Sequence, residues 1–187
     1  MTGTGGHNPT SAALEGTEAE DVVKPVRLLM ASPIGRLGIE FRGTAVTRIV
    51  ILPDRKEARL YQKLEDTDLT DFLLEAIGRL SEHMAGLRSN PELKIDLVPS
   101  ELDTFTRRVF KETRRISYGR TWTYKRLAEA CGRPDGYRVV QAALSQNPIP
   151  ILIPCHRVVP SKGGVGVYIG GTKRKEKLLE IEQRPFG

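Results

Sequence analysis

Cys155 and His156 stand side by side in Pro154-Cys155-His156-Arg157-Val158, at the end of the apolar run Ile149-Pro150-Ile151-Leu152-Ile153. A thiol attacks as its thiolate, and an ordinary cysteine holds little of that form near neutral pH, so a nearby base is the usual route to reactivity. The apolar run predicts a buried strand that ends at the thiol. Pro150 and Pro154 each fix a backbone angle and remove an amide donor, which makes the peptide around Cys155 stiff and unfit for a regular sheet. Adjacent residues on an extended strand face opposite ways. The pair therefore predicts a proton relay through water and no direct thiol–imidazole contact. The same residues also fit a plainer reading, an inert buried thiol beside a hydrogen-bonded surface histidine. The flanking prolines, the glycine-rich stretch at 163–171 and a two-helix pattern just upstream favour the reactive one.

Elements on both sides must hold this segment. Phe105, Val109 and Ile116 mark a helix whose outer face carries Arg107, Arg108, Lys111, Arg114 and Arg115. A second helix starts at Thr123 as N-cap, runs through Tyr124, Leu127, Ala128 and Cys131 at helical spacing, and stops at Gly132. The turn Arg133-Pro134-Asp135-Gly136 leads to a third, with Tyr137, Val140 and Leu144 inward, broken at Asn147-Pro148. Two short helices joined by a tight turn are a helix-turn-helix pattern. A last helix spans Thr172 to about Gln183, with Lys173, Arg174, Lys175 and Lys177 near its start. Upstream, Val26 to Ala31, Arg36 to Phe41 and Ala45 to Leu52 read as a small antiparallel meander, with Ser32-Pro33-Ile34-Gly35 as a tight turn. Leu69, Phe72, Leu73, Ala76, Ile77, Leu80 and Met84 form an apolar helical stripe, capped by Asp68 or Thr70. Leu93 to Val98 reads as one more strand, and Pro99-Ser100 as a junction. The fold class is α+β: residues 1–24 a disordered tail, 25–98 a small sheet-plus-helix domain, 99–187 a helical domain.

At 187 residues and 39% apolar composition, with mean hydropathy −0.31, the chain has core enough to fold unaided. Residues 1–100 hold 12 Lys+Arg against 15 Asp+Glu, a net −3, and residues 101–187 hold 17 against 8, a net +9. The basic half is the half with Cys155. It fits a face turned to a polyanion, nucleic acid first among them, and it fits a merely solvated face as well. Two cysteines cannot make a disulfide framework, and the N-terminus lacks the pattern of a secretory signal. This predicts a cytoplasmic or nucleoid-associated protein, nuclear if eukaryotic, with reduced thiols. No run of 18 apolar residues predicts a membrane span. His7, His83 and His156 have no metal-ligand spacing with the cysteines, and no metal is expected.

Asn147 through Val159 resembles the active-site signature of the O6-alkylguanine-DNA alkyltransferases, the methylated-DNA–protein-cysteine methyltransferases. The likeness extends through Tyr124-Lys125-Arg126-Leu127-Ala128, Arg138-Val139-Val140 and Gly166-Val167-Tyr168-Ile169-Gly170-Gly171, and reaches faintly to Ser32-Pro33-Ile34-Gly35-Arg36-Leu37. It implies an RNase H-like first domain and a single, irreversible transfer of an alkyl group from guanine O6, with O4 of thymine a further candidate, to the chain's own thiol. No cofactor is implied. By this resemblance Cys155 is the nucleophile, His156 takes its proton through water, Glu182 orients the imidazole, and Asn147 braces the turn. Tyr124 would protonate the leaving guanine. The partner implied is double-stranded DNA containing O6-alkylguanine, met by a monomer. The lesion must leave the stack, with Arg138 filling the gap. Ala142, Ala143 and Ser145 would let the third helix approach the minor groove, and Lys125, Arg126 and the cluster Lys173 to Lys177 would meet phosphates. Val158, Val165, Gly166, Tyr168 and Ile169 would form the base pocket, with Val167 and Ile169 narrowing and drying it. Cys131 matches no catalytic position and reads as core. A thiol hydrolase would share Cys155 and His156 but turn over; a lesion sensor would keep Tyr124 and Arg138 without needing a thiol.

Overall fold

A computed structural model of the chain describes residues 25–51, 58–63, 70–97 and 102–183. The expected tail, Leu52, Asp68, Leu69, Val98 and the Pro99-Ser100 junction lie outside these residues. Strands β1 (Val26–Ser32), β2 (Gly35–Arg42) and β3 (Ala45–Ile51) form the expected meander. Alternation drives it: Leu28 and Met30 of β1 and Leu37, Ile39 and Phe41 of β2 are all buried. The β1–β2 turn closes with Ser32 opposite Gly35, the latter at φ 110°, a backbone conformation that favours glycine. A two-residue strand β4 (Gln62–Lys63) pairs parallel to β1, giving the order β3-β2-β1-β4. Nothing in its composition announces it.

Helix α1 (Asp71–Ala85) is capped by the Thr70 side chain and ended by Gly86 in the left-handed region. Its buried stripe, Leu73, Ala76, Ile77, Leu80 and Met84, covers the sheet. Each of the larger side chains contributes about 1.5–3 kcal/mol by leaving water. Over residues 93–97, the described part of the strand expected from Leu93 to Val98, no strand forms. Ile95 makes only an isolated parallel bridge to Val46, because the chain comes off Pro91 with Glu92 at φ 52° and meets β3 for a single pair.

Helix α2 (Thr104–Arg114) starts at Asp103, whose carboxylate accepts from the amides of Phe105 and Thr106. A two-residue strand β5 (Trp122–Thr123) leads into α3 (Tyr124–Ala130), capped by Thr123 as expected, and α4 (Tyr137–Ser145) follows after a tight turn. Strand β6 (Val158–Val159) pairs parallel with β5, which ties the start of α3 to the peptide just after Cys155. Helix α5 (Thr172–Glu182) closes the described chain. One cluster of buried residues runs from Leu28 to Leu178, joining sheet and helices. Among the described residues no helix is long and apolar enough to cross a membrane.

Two sequence expectations change here. Ile149 to Ile153 is a tight turn and no strand: Ile153 N–H bonds the Ile149 carbonyl at 2.9 Å, with Ile151 at φ 80°. The prolines that bar a sheet also force this reversal, and full burial of Ile149 and Ile153 holds it. Tyr137, expected inward, is 46% exposed; Val140, Ala143 and Leu144 form the buried face of α4.

Candidate active site

Cys155 opens a single 3-10 turn, Cys155–Arg157, set directly on the Ile149–Ile153 reversal. Asn147 links the two. Its Nδ2 donates to the Ile153 carbonyl at 2.9 Å and to Cys155 Sγ at 3.1 Å, while its Oδ1 accepts from Ile149 N–H at 3.0 Å. Burial pushes the Cys155 thiol up to about 11, against the lowering pull of the Asn147 bond and the Lys175 charge. The resting site therefore holds a thiol, and ionisation must be coupled to reaction through a base.

The neighbouring imidazole is fully buried. His156 Nε2 lies 2.7 Å from Glu182 Oε1. Arg157 Nε and Nη2 also donate to the Glu182 carboxylate at 2.8–3.0 Å, and Gly119 N–H donates to its Oε2 at 3.0 Å. Burial alone would raise Glu182, but the bonds and charges of His156 and Arg157 hold it at about 2. An ionised Glu182 fixes the proton on Nε2, which leaves Nδ1 as the free acceptor. Nδ1 is buried and has no partner among the described residues. Burial lowers the imidazole from its ordinary value, against the raising pull of the Glu182 bond and charge.

Sγ opens onto a cavity of about 380 Å³ lined by Tyr124, Arg138, Ala142, Ser145, Val167, Tyr168 and Ile169 among others. Tyr124 is half-buried and its hydroxyl is raised by burial and then by Cys155. Tyr168 Oη is buried without a partner among the described residues. The arrangement puts a thiol, an imidazole bonded to a carboxylate, and a phenol around a pocket of ligand size.

Residues 104–184 match the family described as 6-O-methylguanine DNA methyltransferase, DNA binding domain. A methylated-DNA–protein-cysteine methyltransferase from Mycobacterium leprae is 34% identical over 154 residues, 82% of this chain and 90% of that protein. The chain belongs to the methylated-DNA–protein-cysteine methyltransferase family. Two solved structures agree. The Mycobacterium tuberculosis O6-methylguanine methyltransferase superposes with a TM-score of 0.72 at 30% identity, over 86% of this chain and 93% of that one. Mycobacterium tuberculosis OGT in complex with DNA gives 0.72 at 31%, over 84% and 92%.

Of the positions expected from the family signature, the structure bonds Asn147 to Cys155 and Glu182 to His156, the two pairs adjacent in the chain, and sets Tyr124 and Arg138 at the cavity. Arg138 is exposed, with Nε donating to Tyr137 Oη at 3.1 Å. Lys125 and Arg126 are exposed, the latter stacked over Trp122 at 4.4 Å. Several expectations fail. Ala143 is 3% exposed and packs in the core, so Ala142 and Ser145 alone carry the small surface of α4. Val158 is wholly buried in β6, and Val165 and Gly166 do not line the cavity; the wall is Val167, Tyr168 and Ile169. Val167 and Ile169 are 68% and 53% exposed, forming its rim and not a dry constriction. Lys175 cannot meet phosphate: it is fully buried, and Nζ donates to the carbonyls of Val158 at 2.6 Å and Val167 at 3.2 Å. Cys131 is core, at the C-terminus of α3.

Sequence reasoning misses Arg157 and the burial of Lys175. For Lys175 a signal exists, since 175, 178 and 182 repeat at i, i+3 and i+7, which puts Lys and Glu on the inward stripe with Leu178. Arg157 lies between buried segments on both sides, but its charge reads as surface.

Proposed function

We propose that this chain repairs DNA by direct reversal, moving a methyl or other alkyl group from O6 of guanine in duplex DNA to Cys155 in one irreversible event. The observation that carries this reading is the placement of Sγ on a base-sized cavity with His156 and Glu182 behind it. The thiol proton passes through a water to His156 Nδ1, and the resulting imidazolium is held by ionised Glu182. Asn147 donates to the developing thiolate. Sulfur bonds to the alkyl carbon as the carbon–oxygen bond breaks, and the electron pair stays on guanine, which Tyr124 protonates. Apart from that water, the chain's own residues supply the groups in this sequence.

Duplex DNA hides the lesion, so the base must be extruded. Arg138 stands at the cavity mouth on α4, where it can fill the vacated stack. Helices α3 and α4 act as a helix-turn-helix that lays Ala142 and Ser145 on the minor groove, with Lys125 and Arg126 toward phosphates. We divide the molecule at residue 98, with an RNase H-like first part and an alkyl-accepting second part. Cys155→Ser tests the reading: transfer from an oligonucleotide containing O6-methylguanine is abolished while binding to that oligonucleotide survives. Equal transfer by the variant refutes it. A thiol hydrolase would instead release product and turn over, where this reading requires a stoichiometric burst.

A further inference from the structure

Consecutive cations of α5 grip the segment that carries the cavity wall. Lys175 holds its start, bonding the carbonyls of Val158 and Val167. Arg174 holds its end: Nη1 donates to the Gly170 carbonyl at 2.9 Å, and Nε of the same guanidinium donates to the Ile34 carbonyl at 2.8 Å, 140 residues away in the β1–β2 turn. That turn is itself fixed, with Ser32 Oγ donating to the Gly35 carbonyl at 2.6 Å and accepting from Ile34 N–H. A second contact points the same way. A Cβ on Gly170 would sit 2.6 Å from Ile51 Cδ1 of β3 and 3.0 Å from the Tyr168 ring, so the absence of a side chain lets the sheet press directly on the wall. Within the wall, Gly171 N–H bonds the Tyr168 carbonyl at 2.9 Å.

Tyr168 and Ile169 line the cavity, and the bonded backbone on their C-terminal side is the part Arg174 fixes. We propose that Arg174 is a positioning residue that latches the Tyr168–Gly171 wall to the β1–β2 turn, so that the N-terminal sheet sets how far the cavity opens and thereby the size of alkyl group it admits. A planar guanidinium suits this task because its fixed fork reaches two carbonyls at once, which a lysine ammonium on a flexible stem cannot do in the same geometry. The inference rests on the alkyl-transfer reading for its consequence, but the latch itself is a matter of backbone protection.

Arg174→Met keeps the aliphatic stem and removes both donors; Arg174→Lys keeps the charge but replaces the two separated nitrogens, Nε and Nη1, by a single one. The test compares single-turnover rates on oligonucleotides carrying O6-benzylguanine and O6-methylguanine, with amide hydrogen exchange followed at Gly171 and at the 32–35 turn. Arg174→Met is expected to raise the benzyl-to-methyl rate ratio by about ten-fold and to speed exchange at both places, with Arg174→Lys giving a smaller change in the same direction. An unchanged ratio with unchanged exchange overturns the proposal, as does faster exchange confined to the 32–35 turn. If the native chain transfers neither group, the alkyl-transfer reading falls, and exchange at Gly171 still decides the latch. Should Arg174→Met fail to fold, the rate ratio and exchange of Arg174→Lys decide the proposal by the same outcomes.

Discussion

Glu182→Gln removes one charge and almost no volume from the centre of the site. In the native chain the Glu182 carboxylate, 6% exposed, receives His156, Arg157 and the Gly119 amide. Its folded value of about 2 lies well below the ordinary 4.5, which corresponds to ~3 kcal/mol of stability. Because the folded value is the lower one, this contribution is complete above pH 4.5 and disappears as the pH falls toward 2. The amide also leaves the Arg157 guanidinium, itself nearly buried, without a counter-charge, and breaking a buried pair from one side costs about 3–5 kcal/mol. For a chain of this size ~3 kcal/mol predicts a Tm lower by about 6–12 °C at pH 7. The difference from native should shrink as the pH drops through the acid range. The same variant weakens the imidazolium that must form when Cys155 gives up its proton, so alkyl transfer should slow by about 10²-fold. Thermal unfolding from pH 7 to pH 3, paired with single-turnover transfer at pH 7, measures both. A variant whose Tm equals the native value at neutral pH, or whose acid sensitivity is undiminished, refutes the electrostatic argument.

Asn147→Ala takes the donor from Sγ, so the thiol should rise further above 11, and the pH–rate profile for reaction with free O6-benzylguanine should shift alkaline with a loss of about 10-fold or more; an unshifted profile contradicts the role. Arg138→Ala should slow repair of duplex more than reaction with the free base, because only the duplex requires extrusion; equal losses remove Arg138 from that step. Affinity for duplex should fall steeply with salt, about linearly in log–log form, as titrations across ionic strength will read, and a flat dependence argues against phosphate contacts by Lys125 and Arg126.

Much of the site is legible in the sequence because its parts are local or carried by motif. Adjacent Cys155 and His156 just after Pro150 and Pro154, Thr123 before a helical stripe, and the alternation in β1 and β2 each have a short-range physical cause. The failures share another cause. Whether Ile149 to Ile153 extends or reverses depends on what buries it, and the same apolar content serves a strand or a turn. Ala143 and Ala142 are alike in sequence, and only the packing of α4 on the core separates them. Charged residues read as surface by default, which hides Arg157 and Lys175, since a buried cation is recognisable only once its carboxylate or carbonyl partners are placed. β4 is too short to leave a pattern and exists because β1 offers it an edge.

The most direct test of the account is the intact mass of the chain after incubation with an oligonucleotide containing O6-methylguanine, followed by peptide mapping. The account predicts a gain of one methyl group per chain, located on the peptide that holds Cys155, with no further reaction when fresh substrate is added. An unmodified chain, a methyl group on Cys131, or continued turnover would contradict it.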